Sequence, residues 1–447
     1  MFRSVRSQWA LLATAAVARF GGGVLMGTAM AVYVGREGSP LAVSAVATAY
    51  FAGLMLASPF WGALADVTGR SRAVLIVTGT LATLSAAPLA IADGVWVPVG
   101  LRGLYAVFAA GFAPVALTIA SERGGAEGRG RSLGGFNSAR SGGFAGGQFG
   151  AGILLGAVAR PELYLVVAGL SALSTLAAAF LVDPTDPDAG GGVGDETVAA
   201  DGGPDSAPTR TELLREVRHR LLPAAGERGH FRVNGLRWLY VALAVRNVTV
   251  LGVMALIAPY LVDVVGVAEP VMGALLAANH GTQVGAMYLL GVAADRVGRK
   301  PLIVVGMAGS GAFTILAAAA TVPAVGAGVL GAAGPAWLGT GLARVAVAGG
   351  ALFVLGISYS AMTTGAVAFI GDVAPTGRES ELMGLRSTAK GLGGVVGPTL
   401  VGGAATLAGY PAAFALASTL AFAAAGLVGL ALVESRPTGG RAVAADD

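Results

Sequence analysis

The sequence predicts an all-α membrane protein, with twelve transmembrane helices in two pseudosymmetric six-helix bundles. Three observations predict it. Of the 447 residues, 55% are hydrophobic, only 12% are charged and 71 are glycine, with a mean hydropathy of +0.73, a balance outside the range of water-soluble domains. Apolar runs of about 20 residues, each enough to cross about 30 Å of hydrocarbon, recur along the whole chain. A short stretch of unusual composition comes twice, at 62–72 and at 291–300, and marks an internal repeat.

Taken in order, the apolar runs lie at 9–34, 42–65, 73–92, 95–120, 133–158, 162–182, 238–262, 270–293, 302–322, 345–371, 382–407 and 411–433. Arg3 and Arg6 precede the first, as in a signal peptide, but Arg19 interrupts its apolar region and no cleavage pattern follows, so it reads as an uncleaved helix. The apolar, glycine-rich stretch 324–343 reads as a loop or half-helix, because a thirteenth span would invert every later charge assignment. The expected units are an N-terminal bundle at 1–182, a cytoplasmic linker at 183–237, a C-terminal bundle at 238–434 and a tail at 435–447. The linker is rich in Asp, Gly, Pro and Thr and cannot bury enough apolar surface to fold alone. Within it, 211–222 has an amphipathic pattern suited to a membrane surface, or to a simple connector.

Orientation follows from the basic residues. With both termini cytoplasmic, the inner segments hold 20 of the 29 Lys and Arg residues, whereas the outer loops hold only Arg36 and Arg160. The expected location is a cell membrane, crossed many times. The formal net charge of +4 is then an orientation signal, and no basic patch with interleaved aromatics suggests nucleic acid. Cysteine is absent, which excludes thiolate chemistry and disulfides.

The repeat aligns Arg19 and Tyr33 with Arg246 and Tyr260, and Asp66 with Asp295. Further on it aligns Arg140 with Lys390, Gly143 with Gly393 and Gly147 with Gly397. The duplicated stretches read as hairpins between membrane helices: Gly62-Ala-Leu-Ala-Asp66-Val-Thr-Gly69-Arg70-Ser-Arg72 and Gly291-Val-Ala-Ala-Asp295-Arg-Val-Gly298-Arg299-Lys300. Glycine permits the sharp reversal, the basic pair marks the inner face, and the Asp can accept from a helix N-terminus or pair with an Arg.

These residues resemble the loop between helices 2 and 3 of major facilitator superfamily transporters, Gly-x-Leu-Ala-Asp-x-x-Gly-Arg followed by a basic residue. Gly62, Asp66, Gly69 and Arg70 match it, as do Gly291, Asp295, Gly298 and Arg299; Ser71 stands before Arg72 in the first copy. The resemblance implies two parallel six-helix halves, a cavity between them that opens alternately to each side, and a hairpin Asp that caps helix eleven and latches the outward-open form. It also associates Arg102, which opens the fourth helix, with proton transfer.

Glycine spacing is repeated too. Gly134, Gly143 and Gly147, then Gln148, share the pattern Gly-x8-Gly-x3-Gly with Gly384, Gly393 and Gly397, then Pro398. Such glycines let helices approach closely and are expected at the interface between the halves. The pattern is similar to the fifth-helix signature of the superfamily's drug exporters, from which the first copy departs at Gln148.

Five basic residues fall within spans: Arg19, Arg140, Arg246, Arg386 and Lys390. A charge at a helix centre costs roughly 2.5–3.5 kcal/mol on insertion scales, so these residues should face a cavity or a partner. No Asp or Glu lies in the middle of a span, so the cavity should be net positive. Arg19 and Arg246 stand about ten and eight residues beyond Trp9 and Trp238, roughly 12–15 Å into the membrane at about 1.5 Å per residue. They, with Arg140 and Lys390, are substrate-site candidates; Arg386, one turn from Lys390, reads as structural. Tyr33, Gln148, Asn247, Tyr260 and Tyr359 are candidates to line the cavity. His280 is the candidate proton site, since imidazole is the side chain that titrates nearest neutrality.

Neither lysine is followed by Ser or Thr, so no phosphate-binding loop exists, and the three histidines are scattered. The expected function is therefore not enzymatic: a secondary active transporter for a small, anionic organic solute, without a cofactor. A drug/proton antiporter and a non-transporting receptor or scaffold on the same fold stay open as alternatives. The expected partners are the solute, a proton or counter-anion, and the lipid bilayer, with the chain a monomer. Asp66→Asn is expected to lower transport while leaving expression intact; an unchanged transport rate would overturn the latch.

Overall fold

The computed structural model describes residues 5–182, 233–321, 340–374 and 379–435, and these are almost wholly helical, with no strand among them. The helices are α1 (Val5–Glu37), α2 (Pro40–Thr68), α3 (Ser71–Ala86), α4 (Trp96–Ala109), α5 (Phe112–Ala157), α6 (Arg160–Ala179), α7 (Leu236–Pro259), α8 (Glu269–Val297), α9 (Arg299–Ala319), α10 (Thr340–Val373) and α11 (Glu379–Ala431). The amphipathic stretch 211–222 lies outside the described residues, as does most of 324–343.

Two of these helices each hold parts of more than one expected span. In α5 the Ser132 hydroxyl donates to the Ala120 carbonyl, twelve residues back, a separation of about 18 Å in a straight helix, so the chain reverses between them. The part of α5 before this reversal continues α4, as the single apolar stretch Trp96–Gly124. In α11 the reversal is at Gly409 (φ 82°, ψ 166°), two residues before Pro411. Divided and joined at these points, the described chain has the twelve helical segments the sequence predicts. Nine stretches of the described residues, including Leu382–Ala431 as one, are long and apolar enough to cross a membrane. The expected spans outside that set, 133–158 and 270–293, are rich in glycine and polar residues, and they pack against each other across the two halves.

Local chemistry sets the turns. Ser39 caps α2 by accepting from the Ala42 N–H, with Pro40 at the first helical position. In the first hairpin Gly69 takes the left-handed region (φ 63°) and donates its N–H to the Ala65 carbonyl at 2.9 Å. In the second, Gly298 also has positive φ (98°), and the start of α9 is capped by Glu434, whose carboxylate accepts from the Arg299 and Lys300 N–H groups, each at 3.0 Å. Arg299 is buried and donates to Asp372 at 3.2 Å, so this hairpin is tied to its own half. The Asp295 side chain lies outside the described residues.

The repeated glycines do not join the halves, contrary to expectation. Gly143 and Gly147 press on the backbone of Val17 and Gly21, fastening α5 to α1, and Gly393 and Gly397 press on Asn247 and Val248, fastening α11 to α7. Each helix turns those glycines toward the neighbour that carries the half's buried arginine. Other glycines of the same helices meet the opposite half, among them a symmetric pair five residues beyond Gly147 and Gly397. A Cβ on Gly152 would lie 2.5 Å from the Glu269 carbonyl oxygen and 2.7 Å from the Gly273 Cα, and one on Gly402 would lie 2.9 Å from the Pro40 carbonyl oxygen and 2.5 Å from the Ser44 Cβ. Glu269 and Gly273 are the repeat equivalents of Pro40 and Ser44, so one backbone contact is built twice.

Gly152→Leu is therefore expected to force this seam apart. Since the chain has no native cysteine, a single Thr48→Cys reporter on the α2–α11 seam should be labelled several-fold faster by an impermeant maleimide in the Gly152→Leu background; equal labelling would contradict the seam.

Candidate functional site

One face of the protein carries the ends of both halves: Gln8 bonds to Phe180 and Val182 there, and Val433 bonds to Asn234. The contacts that cross between halves lie toward the opposite face. Arg36 pairs with Glu269 at 2.7 Å, the Leu41 N–H donates to Thr406 at 3.0 Å, and Thr48 shares a 2.9 Å hydrogen bond with Thr399. Deeper in, Gly394 meets Phe51, Gly391 meets Met55, and the Phe144 and His280 rings stack with centroids 5.4 Å apart. At this depth Lys390 is exposed although it sits mid-span, and Arg140, Arg386 and Tyr359 are half-exposed. A water-accessible cleft therefore reaches the middle of the molecule from the face that carries the chain ends.

The cleft is lined by cations. Lys390, Arg386 and Arg140 are the accessible cations at this depth, and Tyr359 on α10 lies 5.5 Å from the guanidinium of the buried Arg246. Arg140 comes from α5 in the other half. Its guanidinium lies 5.6 Å from the Phe144 ring centroid and 5.8 Å from that of Phe20, and its Nε is buried without a hydrogen-bond partner. His280 joins this group through the Phe144 ring, which lies beside the Arg140 guanidinium. So the structure brings together Arg140, Lys390, His280 and Tyr359, and adds Arg386, which the sequence alone reads as structural. Chemically, such a set can hold an anion by charge and by donated hydrogen bonds, and it contains no carboxylate to neutralise it.

Other candidates lie elsewhere. Arg19 is buried within its own half and donates to Ser171 and Thr175 on α6, each at 3.4 Å. Arg246 is 1% exposed, and its Nε donates to Ser310 on α9 at 3.0 Å while its guanidinium lies 5.5 Å from the Tyr359 ring. Each keeps one nitrogen without a partner, Nε of Arg19 and Nη2 of Arg246. Asn247 is buried and accepts from Arg246, and Gln148 accepts from Thr28 at 2.7 Å, tying α5 to α1. Tyr33 packs by Tyr164 and Arg160 at the far end of α1, and Tyr260 is wholly buried, its hydroxyl donating to the Ala317 carbonyl at 2.5 Å. Neither tyrosine lines the cleft, because both stand beyond the seam that closes it. Arg102 is buried between α1 and α2, donating to the Gly23 carbonyl at 3.1 Å and stacking on Tyr50 at 4.1 Å.

Sequence reasoning missed Phe20, Phe144 and Tyr50. A signal existed for Phe144, which follows Arg140 by four residues and so shares its helix face. Tyr50 carried none, since its partner Arg102 comes from another helix. Ser310→Ala is expected to destabilise the C-terminal half by about 1.5–3 kcal/mol, because it takes a hydrogen bond from a buried guanidinium; thermal unfolding in detergent measures it, and an unchanged Tm would contradict the assignment.

No curated protein sequence matches the chain at a significant level. Solved structures do share its fold. The nucleoside transporter NupG superposes with a TM-score of 0.70 at 11% identity, covering 95% of this chain and 99% of that one. The D-xylose-proton symporter has a TM-score of 0.60 at 15% identity, covering 97% and 99%. A bacterial homolog of the human lysosomal transporter Spinster, in an inward-facing and unoccupied conformation, has 0.58 at 15% identity, covering 96% and 95%. The profile of the Major Facilitator Superfamily matches residues 11–343 and 239–447, nearly the whole sequence. The chain therefore belongs to the Major Facilitator Superfamily.

Proposed function

We propose that the protein is a secondary active transporter that carries a small organic anion by alternating access, with Arg140, Lys390, Arg386 and Tyr359 as the solute site. The observation that carries this reading is the presence of accessible mid-span cations in both halves, Arg140 in one and Lys390 and Arg386 in the other, with no mid-span carboxylate to balance them. Fixed positive charge at membrane depth is costly unless a partner arrives, and a mobile anion is the partner the sequence leaves room for. The shared fold supports transport of a small molecule: two of the superposed structures are named for a nucleoside and for D-xylose. It is the cation cluster that selects an anion.

Arg19 and Arg246 enter this reading as supports. Each sits one layer behind the cleft, where Arg246 braces Tyr359, and their fixed forks hold hydroxyls of neighbouring helices in a geometry that Lys cannot reproduce. With the face that carries the chain ends assigned to the cytoplasm by the arginine bias, the described conformation faces inward. The Arg36–Glu269 pair and the glycine seam then close the outer side. Asp66 and Asp295 act in the opposite conformation, as hairpin latches.

Lys390→Gln and Arg140→Gln are each expected to weaken binding of an anionic solute about tenfold or more, equivalent to about 1.4 kcal/mol apiece. A thermal-shift screen of the purified protein with anionic and cationic compounds first finds the solute, and isotherms on the two variants then test the site. Stabilisation by cations alone would overturn the reading.

A further inference from the structure

The cleft has an apolar wall as well as cations. Three half-exposed rings meet there: Phe20 and Phe144 have centroids 5.4 Å apart at 76°, and Phe144 and His280 lie 5.4 Å apart at 38°. They come from α1, α5 and α8, and so from both halves. Resting on the anion reading above, we propose that the solute is an aromatic anion, a flat ring that bears a carboxylate or similar oxyanion and packs on Phe144 and His280 while its charge meets Arg140 and Lys390.

Two features of the geometry support a ring rather than an aliphatic chain. First, Arg140 lies within 6 Å of both phenylalanine rings, so an anionic group that reaches the guanidinium brings the body of the ligand close to those rings. Aromatic pairs in offset or edge-on contact are favoured beyond the area they cover, whereas a saturated ring gains the area alone. Second, the Phe144–His280 contact bridges the halves at the deepest level of the cleft, which leaves two ring surfaces partly open to water at the end of the access path. An apolar face that is half wet is stabilised by whatever covers it. Lys390 is exposed on α11, and Arg140 is partly exposed beside the two phenylalanines.

The test uses the full-length protein in detergent at one pH, with four probes at matched concentration: benzoate, cyclohexanecarboxylate, benzyl alcohol and benzylamine. Benzoate is expected to raise Tm most, with an apparent Kd at least threefold tighter than that of cyclohexanecarboxylate, while the alcohol and the amine leave Tm unchanged. Phe144→Leu should remove the preference between the two acids, and Lys390→Gln should weaken both acids alike. If Phe144→Leu does not fold, His280→Leu, which deletes the partner ring, should narrow the preference in the same way. Equal shifts from the two acids in the parent would overturn the aromatic inference and leave the anion reading standing. Absence of a shift from all four probes would also overturn the aromatic inference, since benzoate carries both features. A shift from benzylamine without one from either acid would overturn both.

Discussion

Close backbone approach at glycine is the constraint on which this architecture depends. Helices in a bilayer gain nothing by hiding apolar side chains from lipid, so they associate where small residues let their backbones touch. Here the glycines at 143 and 147, with their equivalents at 393 and 397, make each half a unit by fastening α5 to α1 and α11 to α7. Gly152 and Gly402, a short step further along the same helices, do something different: they touch the other half. Each of these helices thus presents some glycines to its own bundle and others to the opposite half. That division separates the contacts that build each half from the contacts that join the halves.

The second constraint is electrostatic. A guanidinium in a low-dielectric interior needs hydrogen-bond partners, and two kinds of arginine answer that need differently. Arg19 and Arg246 turn into their own halves, where hydroxyls of Ser171, Thr175 and Ser310 receive them. Arg140 and Lys390 turn to the cleft, where solvent or a solute must serve. The repeat makes each pair equivalent in sequence, yet the members of the second differ in setting: Arg140 is flanked by two phenylalanines, while Lys390 is open. Departure from symmetry at this pair gives the cleft an aromatic side and an ammonium side.

The polar character of 133–158 and 270–293 follows from the same cause. Both helices line the cleft and meet across the halves, at Gly152 with Gly273 and at Phe144 with His280. A helix that faces water and a neighbouring backbone cannot also be uniformly apolar. Low hydropathy within an otherwise hydrophobic chain therefore points toward the site.

The sequence by itself determined the class, the twelve segments, the twofold repeat and the hairpin glycines. These depend on local composition and on spacing along one chain: length against bilayer thickness, positive φ against side-chain bulk, charge against membrane side. It also marked Arg140 and Lys390, because a mid-span cation is conspicuous wherever it points. Direction is what it could not convey. Arg19 and Arg140 read alike as buried cations, and Gly143 and Gly147 read as facing the other half although they face α1, because a helix turns by about 100° per residue and only the neighbours decide which face is inside. The tertiary structure alone placed Arg19 against α6, Tyr260 beyond the seam, and Arg246 beside Tyr359, since each placement is a contact between residues far apart in the chain.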